Sequence, residues 1–161
     1  MILDSGNRTE YSTGAVRDVQ IGKGRCDLLP LTAVAQLFAD EQKYIIQKIG
    51  IFVESGNRAY LINALDDFVV SEEMSLYEAI LEVSKHYQEG AIKYGERNWE
   101  KGIPLHSFID SGVRHLLKHW NGERDERHDR AFIWNMLGAI WTLEHKPEMV
   151  DIPFEMLGGK I

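Results

Sequence analysis

Between Ser75 and Glu144 apolar residues return at helical spacing in three successive runs, with only short polar segments between them. The first run opens at S-L-Y-E, where Ser75 and Glu78 are spaced for a capping box. Leu76, Ile80, Val83, Tyr87 and Tyr94 then define one stripe, and Gly95 is placed to end the helix. The second run carries Leu105, Phe108, Ile109, Val113, Leu116, Leu117 and Trp120 and closes at Asn121-Gly122. The third starts near Glu126 and reaches about Glu144, with Pro147 barring much continuation. Helices with apolar faces and short connections bury those faces against one another. The expected fold is therefore mainly α, a helical bundle with its core over residues 75–146.

The 161 residues fit one domain, 1–161. Residues 1–30 read as an irregular arm rich in Gly, Ser, Thr, Arg and Asp, ending at Pro30, and a short helix is expected from about Leu31 to Asp40. Within residues 41–70 the turn-forming S-G-N-R lies between β-branched and aromatic runs, which predicts a small β-hairpin insertion, with helices as the alternative. A net charge of −7 disfavours binding along a nucleic-acid polymer but leaves room for a local basic pocket. The single cysteine, Cys26, allows no intrachain disulfide. No apolar run approaches the ~20 residues of a membrane span, and M-I-L-D-S-G-N-R-T-E lacks a signal-peptide pattern, so a cytoplasmic protein with no membrane partner is expected.

The stretch G-E-R-D-E-R-H-D-R, Gly122 to Arg130, concentrates four carboxylates, three arginines and a histidine directly before the apolar A-F-I-W-N-M-L-G-A-I-W-T-L. Acidic residues at a helix start favour the dipole without any function. Four exceed that need, and hard oxygens suit Mg²⁺ or Mn²⁺. On the first long helix Glu78, Glu82 and Glu89 form a carboxylate ridge that reads equally as a solvated face of i,i+4 pairs. On the second, Asp110 and Arg114 flank one edge of the apolar arc, and His115 and His119 the other. The histidines stand as core-edge residues or as a two-ligand metal pair lacking further ligands. Asn135, nearly alone among apolar neighbours, requires a hydrogen-bonded partner, either in the core or on a substrate. Trp134 and Trp141 read as core or subunit-interface residues. In the arm, Arg17, Lys23 and Arg25 alternate with Gly14, Gly22 and Gly24, a composition that can wrap phosphate but lacks P-loop spacing.

T-G-A-V-R-D with G-K-G-R-C-D-L-L-P, then E-G-A-I-K-Y-G-E-R-N-W-E-K-G-I-P, then F-I-D-S-G-V-R-H-L-L-K-H-W-N-G-E-R-D-E-R-H followed by W-N resemble, in order, the blocks of a largely phage-encoded family of dATP/dGTP diphosphohydrolase N-terminal domains. The resemblance spans about Thr13 to Pro30 and Leu76 to Glu144, leaving residues 40–70 outside. It implies kinship with all-α MazG-like pyrophosphohydrolases and hydrolysis of purine deoxynucleoside triphosphates to monophosphate and pyrophosphate. MazG-like enzymes hold Mg²⁺ with E-x-x-E and E-x-x-D pairs on adjacent helices. Here Glu123 and Glu126 supply one pair, whereas Glu148 and Asp151 follow Pro147, outside the bundle. The mapping that follows places Glu89 opposite Glu123 and Glu126 as catalytic and metal-binding carboxylates, with His128 or Asp129 as a further ligand. Arg17, Lys23, Arg25, Lys93, Arg97 and Arg114 would clamp phosphates, and Asn98, Trp99, His115 and Asn135 would contact substrate. Glu123→Gln is then expected to abolish turnover. The apolar excess from Ile133 to Leu143 predicts a homo-oligomer. The rival expectation is a noncatalytic phage protein that binds a nucleotide or a host factor.

Overall fold

The structure is a computed structural model that describes residues 5–154; the first four residues of the expected arm lie outside them. Helices dominate: α1 (Leu31–Val34), α2 (Asp40–Ser55), α3 (Ala59–Ser71), α4 (Leu76–Tyr94), α5 (Leu105–Trp120) and α6 (His128–His145). Strands β1 (Arg8–Glu10) and β2 (Val16–Asp18) form an antiparallel pair in which Arg8 faces Asp18 and Glu10 faces Val16. No helix among the described residues is long and apolar enough to cross a membrane.

α6 is the middle of the bundle. It packs against α5, α4 and α3, so its sequence is apolar around most of its circumference rather than on one stripe. Ile133, Met136 and Ala139 are buried, and Trp134, Leu137, Ile140 and Leu143 pack on the core from its margins. Part of the apolar excess from Ile133 to Leu143 is thus covered within the chain, while Trp134, Leu137, Ile140, Trp141 and Leu143 remain half-buried. α5 lies closest to α6, and glycines on both helices permit the approach. A Cβ at Gly138 would stand 2.3 Å from Phe108, and one at Gly112 would stand 2.4 Å from Met136, so no larger residue fits either position without displacement.

The capping box at the start of α4 forms as the sequence predicts: Glu78 N–H donates to Ser75 Oγ at 3.1 Å while the Glu78 carboxylate accepts from Ser75 N–H. The stripe along α4 differs in part. Val83 is buried, with Ala79 beside it, but Leu76 and Ile80 stand largely in solvent because the first turns of α4 lie at the periphery of the bundle.

The hairpin expected in residues 41–70 is instead a pair of helices. Ile45, Ile46, Ile49 and Phe52, then Leu61, Ala64, Phe68 and Val69, repeat at three- and four-residue intervals and are buried, a period that a strand does not have. S-G-N-R is a helix-to-helix turn: Gly56 takes the left-handed φ of +73° that closes α2, and Asn57 Oδ1 accepts the Ala59 N–H at 3.0 Å to open α3. The chain does contain a hairpin, but in the arm.

That arm is clamped to the bundle. Buried Asn98, in the single 3₁₀ turn between α4 and α5, accepts the Val16 N–H at 2.9 Å and donates to the Val16 carbonyl at 2.8 Å. Asp110 on α5 accepts the Cys26 N–H at 2.7 Å, and Arg114 donates to the Gly24 carbonyl at 2.8 Å. Tyr11 and Ser107 hydroxyls meet at 3.1 Å. A segment with almost no secondary structure of its own is thereby held as one wall of a cavity.

Candidate functional site

Between the arm and helices α4, α5 and α6 lies a cavity of about 640 Å³. Each helix gives it one stripe at helical spacing: His86, Gly90, Lys93 and Tyr94 from α4; Ser111, Arg114, His115 and Lys118 from α5; Trp134 and Asn135 from α6. The arm adds Arg17, Asp18 and Lys23, and the loop before α6 adds Glu126. Arg17, Lys23, Lys93, Arg114 and Lys118 are set against two carboxylates, Asp18 and Glu126. A chain of net charge −7 thus gathers positive charge at one concave place.

Arg17 is the centre of that charge. Its Nη2 donates to Asn135 Oδ1 at 3.1 Å, and its guanidinium lies over the rings of Trp134 and Phe108 at 5.5 and 5.6 Å. Its Nη1 is buried with no hydrogen-bond partner, as is Nε of Arg114. Burial pushes the Arg17 pKa below its ordinary value. Buried donors left without acceptors are costly, typically about 1–3 kcal/mol each and more for charged groups, and they call for an anionic ligand.

The neighbouring histidines stay neutral. Burial lowers His86 to a pKa of about 4 and His115 to about 2, the latter helped by His128. Glu126 moves the other way, since burial raises its carboxyl above the usual range. A carboxylate raised toward neutrality at the edge of a cationic cavity is suited to take a proton from water.

Several residues singled out in the sequence line this cavity together: Arg17, Lys23, Lys93, Asn98, Arg114, His115, Glu126 and Asn135. Both flanks of α5 reach it, because a cavity of this width spans the angle between Arg114 and His115. Asn98 has its amide engaged by Val16, so it builds the wall; Asn135 does likewise, donating to the Ala131 carbonyl at 2.8 Å and accepting from Arg17.

Others fall elsewhere. Arg25 is joined to Asp27 by two hydrogen bonds of 2.7 Å, and Arg97 bonds Glu100 at 2.7 Å on the exposed turn before α5. Trp99 packs edge-on against Trp141 at 5.0 Å and against Tyr87 at 5.8 Å, as part of the aromatic core. Asp129 is bonded twice by Arg127, at 3.0 and 2.8 Å. Glu123 accepts from Asn121 at 3.1 Å and lines a second hollow between Trp120, Phe38 and Lys118. Among the described residues, two groups bring three donor side chains within 4.8 Å of one another: His115, Glu126 and His128, and Glu123, Asp125 and His128. Glu89 and Asp129 belong to neither group, and Glu123 and Glu126 fall in different ones.

His115 and His119 do not act as a pair. His119 bonds Glu72 at 2.6 Å, whereas His115 Nδ1 lies 2.9 Å from His128 Nδ1. Asp18 and Lys118 carry no sequence signal as single residues, and Asp125 stands out only as one of the four carboxylates of the acidic stretch. The signal for Lys118 was the spacing of Ser111, Arg114, His115 and Lys118, a polar stripe beside the apolar arc of α5.

Residues 68–152 match the family described as dATP/dGTP diphosphohydrolase, N-terminal, a segment that includes α4, α5 and α6 but not the arm. No curated protein and no solved structure matches the chain.

Proposed function

The chain belongs to the dATP/dGTP diphosphohydrolase N-terminal family, and from that premise we propose that it hydrolyses purine deoxynucleoside triphosphates to monophosphate and pyrophosphate in the cavity between the arm and α4, α5 and α6. The observation that carries this reading is the buried, partnerless Nη1 of Arg17 in a cavity with four further cationic side chains. A triphosphate offers oxygens of the kind that Arg17 Nη1 and Arg114 Nε lack, and about 640 Å³ lies within the usual range for small-molecule sites.

Arg17, Lys23, Lys93, Arg114 and Lys118 receive the phosphates, while Tyr94 and neutral His86 offer flat surface to the base. Glu126 accepts a proton from water as the water oxygen bonds to the α-phosphorus. The α–β bridging oxygen then leaves with its electron pair as pyrophosphate, its charge met by the cationic wall. Mg²⁺ or Mn²⁺ entering with the nucleotide would need one or two carboxylates besides water and phosphate oxygens, and in this reading the second oxygen of Glu126 would supply one. When bound, the cation would neutralise phosphate charge. Fixed cations around the phosphates, not covalent chemistry, carry most of the rate enhancement in this scheme.

Incubation with each of the four deoxynucleoside triphosphates and Mg²⁺ or Mn²⁺, followed by chromatography, tests the reading. Monophosphate plus pyrophosphate from dATP or dGTP is the expected result. Tight binding with no product would instead establish the noncatalytic nucleotide-binding alternative, which the cationic cavity alone would equally serve. Release of intact triphosphate would make the nucleoside 5′ oxygen the leaving group in place of pyrophosphate and would remove the diphosphohydrolase reading.

A further inference from the structure

Where α5 meets the loop before α6, three donor groups converge. Nδ1 of His115 and Nδ1 of His128 are 2.9 Å apart, and a Glu126 carboxylate oxygen lies within 4.8 Å of a ring nitrogen of each. Two imidazole nitrogens at this distance share either a proton or a cation. Metal–imidazole bonds of ~2.0–2.1 Å place neighbouring nitrogen ligands roughly 3–3.4 Å apart, close to the separation seen.

The far side of His128 suits a cation as well as a proton. Its Nε2 lies 2.7 Å from Asp125 Oδ1, and a neutral ring donating from Nε2 presents its Nδ1 lone pair toward His115. A carboxylate behind a histidine in this way is the usual means of orienting a metal ligand. His128 is only 1% exposed, so its ring is fixed by packing as well as by Asp125. His115 and Glu126 also line the cavity in which Arg17 Nη1 and Arg114 Nε are buried without partners. Those orphan donors point independently to an anionic ligand beside the cluster, and its oxygens could complete the coordination of an ion held by only three side chains.

We propose that His115, Glu126 and His128 form a three-ligand site for a borderline divalent cation of the zinc and cobalt class, with Asp125 as its positioning residue and an open position toward the cavity. Two nitrogens and one carboxylate favour such an ion over Mg²⁺, which prefers an all-oxygen shell. This inference rests on the nucleotide reading only for the identity of the group that fills the open position.

The test uses the whole chain, stripped of metal and titrated with Co²⁺ alone, read by visible absorption and calorimetry. One Co²⁺ per chain is expected, with bands of nitrogen and oxygen coordination that survive a hundredfold excess of Mg²⁺. His115→Ala and His128→Gln should each weaken Co²⁺ binding at least tenfold, and Asp125→Asn about tenfold. His119→Ala, on the same helix but bonded to Glu72, should leave it unchanged. Unaltered Co²⁺ affinity in both the His115 and His128 variants, or displacement by equimolar Mg²⁺, would overturn the site. Because His128 is buried and its variant could misfold, Cu²⁺ bound to the unaltered chain gives a second measurement: pulsed electron paramagnetic resonance should detect two coordinated imidazoles, and detecting none rejects the proposal. Deoxynucleotide hydrolysis with Mg²⁺ as sole metal and no Co²⁺ at the histidines would leave the nucleotide reading intact and remove this site. Co²⁺ on the histidines without hydrolysis of any nucleotide would do the reverse.

Discussion

The acidic turn from Gly122 to Arg130 and the glycine-rich arm make an instructive pair. The turn is the most heavily charged stretch of the chain, yet most of its charge is neutralised locally or by a neighbouring helix. Arg127 bonds Asp129, Arg130 bonds Glu82 on α4, and Asp125 faces His128. Half-buried Glu82 is held near pKa 2 by hydrogen bonds from Lys85 and Arg130. Only Glu126 turns from the loop into the large cavity. The arm looks unremarkable in sequence, but it carries Arg17 into the interior and leaves one of its nitrogens without an acceptor. Charge density along the chain therefore marks where ions pair, whereas an unsatisfied charge in a concavity marks where a ligand belongs.

The sharpest way to break this contrast is to neutralise the two glutamates of the turn separately. Glu126→Gln should lower kcat by about a hundredfold or more, the scale of general-base catalysis. Glu123→Gln, on the other hollow, should change kcat less than threefold. Equal losses in both would restore the turn as a single catalytic unit.

Next in size is the arm itself. Arg17→Met should raise KM for the triphosphate by about 10- to 100-fold, since a charge-assisted contact is lost. Arg25→Met should shift KM less than twofold, because Arg25 is already joined to Asp27. Steady-state kinetics on the two variants decides between an arm that binds and an arm that only covers.

Asn98→Ala probes how the arm is held. Removing both hydrogen bonds to Val16 should destabilise the fold by about 1–3 kcal/mol in urea unfolding and raise KM through displacement of Arg17. A variant with unchanged KM would mean that Arg17 is positioned by Asn135 and the aromatic rings alone.

The last expected effect is on pH. His86 has a folded pKa near 4 against an ordinary 6.5, lowered chiefly by burial and by nearby Arg130 and Arg17, with Glu89 opposing. The unfolded chain therefore binds this proton first, and stability should fall as pH drops from about 6.5 to about 4. Its contribution is about 3 kcal/mol, fully present above pH 6.5 and wholly lost only below about pH 4. Urea midpoints across that range should show the loss, and His86→Gln should flatten it in part. A variant with the same pH slope as the parent would assign the loss to other groups.

Helix boundaries were legible wherever a local signal existed. The Ser75 capping box, the Gly95 and Asn121-Gly122 ends and the period of α5 all depend on residues a few positions apart. The same period was present in Ile45, Ile46, Ile49 and Phe52 but was overshadowed by β-branched composition, a weaker indicator of strand than spacing is of helix. The cavity was legible only in pieces. Arg17 meets Asn135 across 118 positions, and Asn98 meets Val16 across 82, and no local pattern encodes such pairings.

By its own order of residues the chain determined a helical bundle and the chemical types available to it, because hydrophobic period and capping act over one or two turns. Which cations remain unpaired, which carboxylate faces them, and which histidines meet were decided only when the arm closed over the bundle. Burial and desolvation are properties of surroundings assembled from distant segments, and they alone separate Arg17 from Arg25 and Glu126 from Glu123.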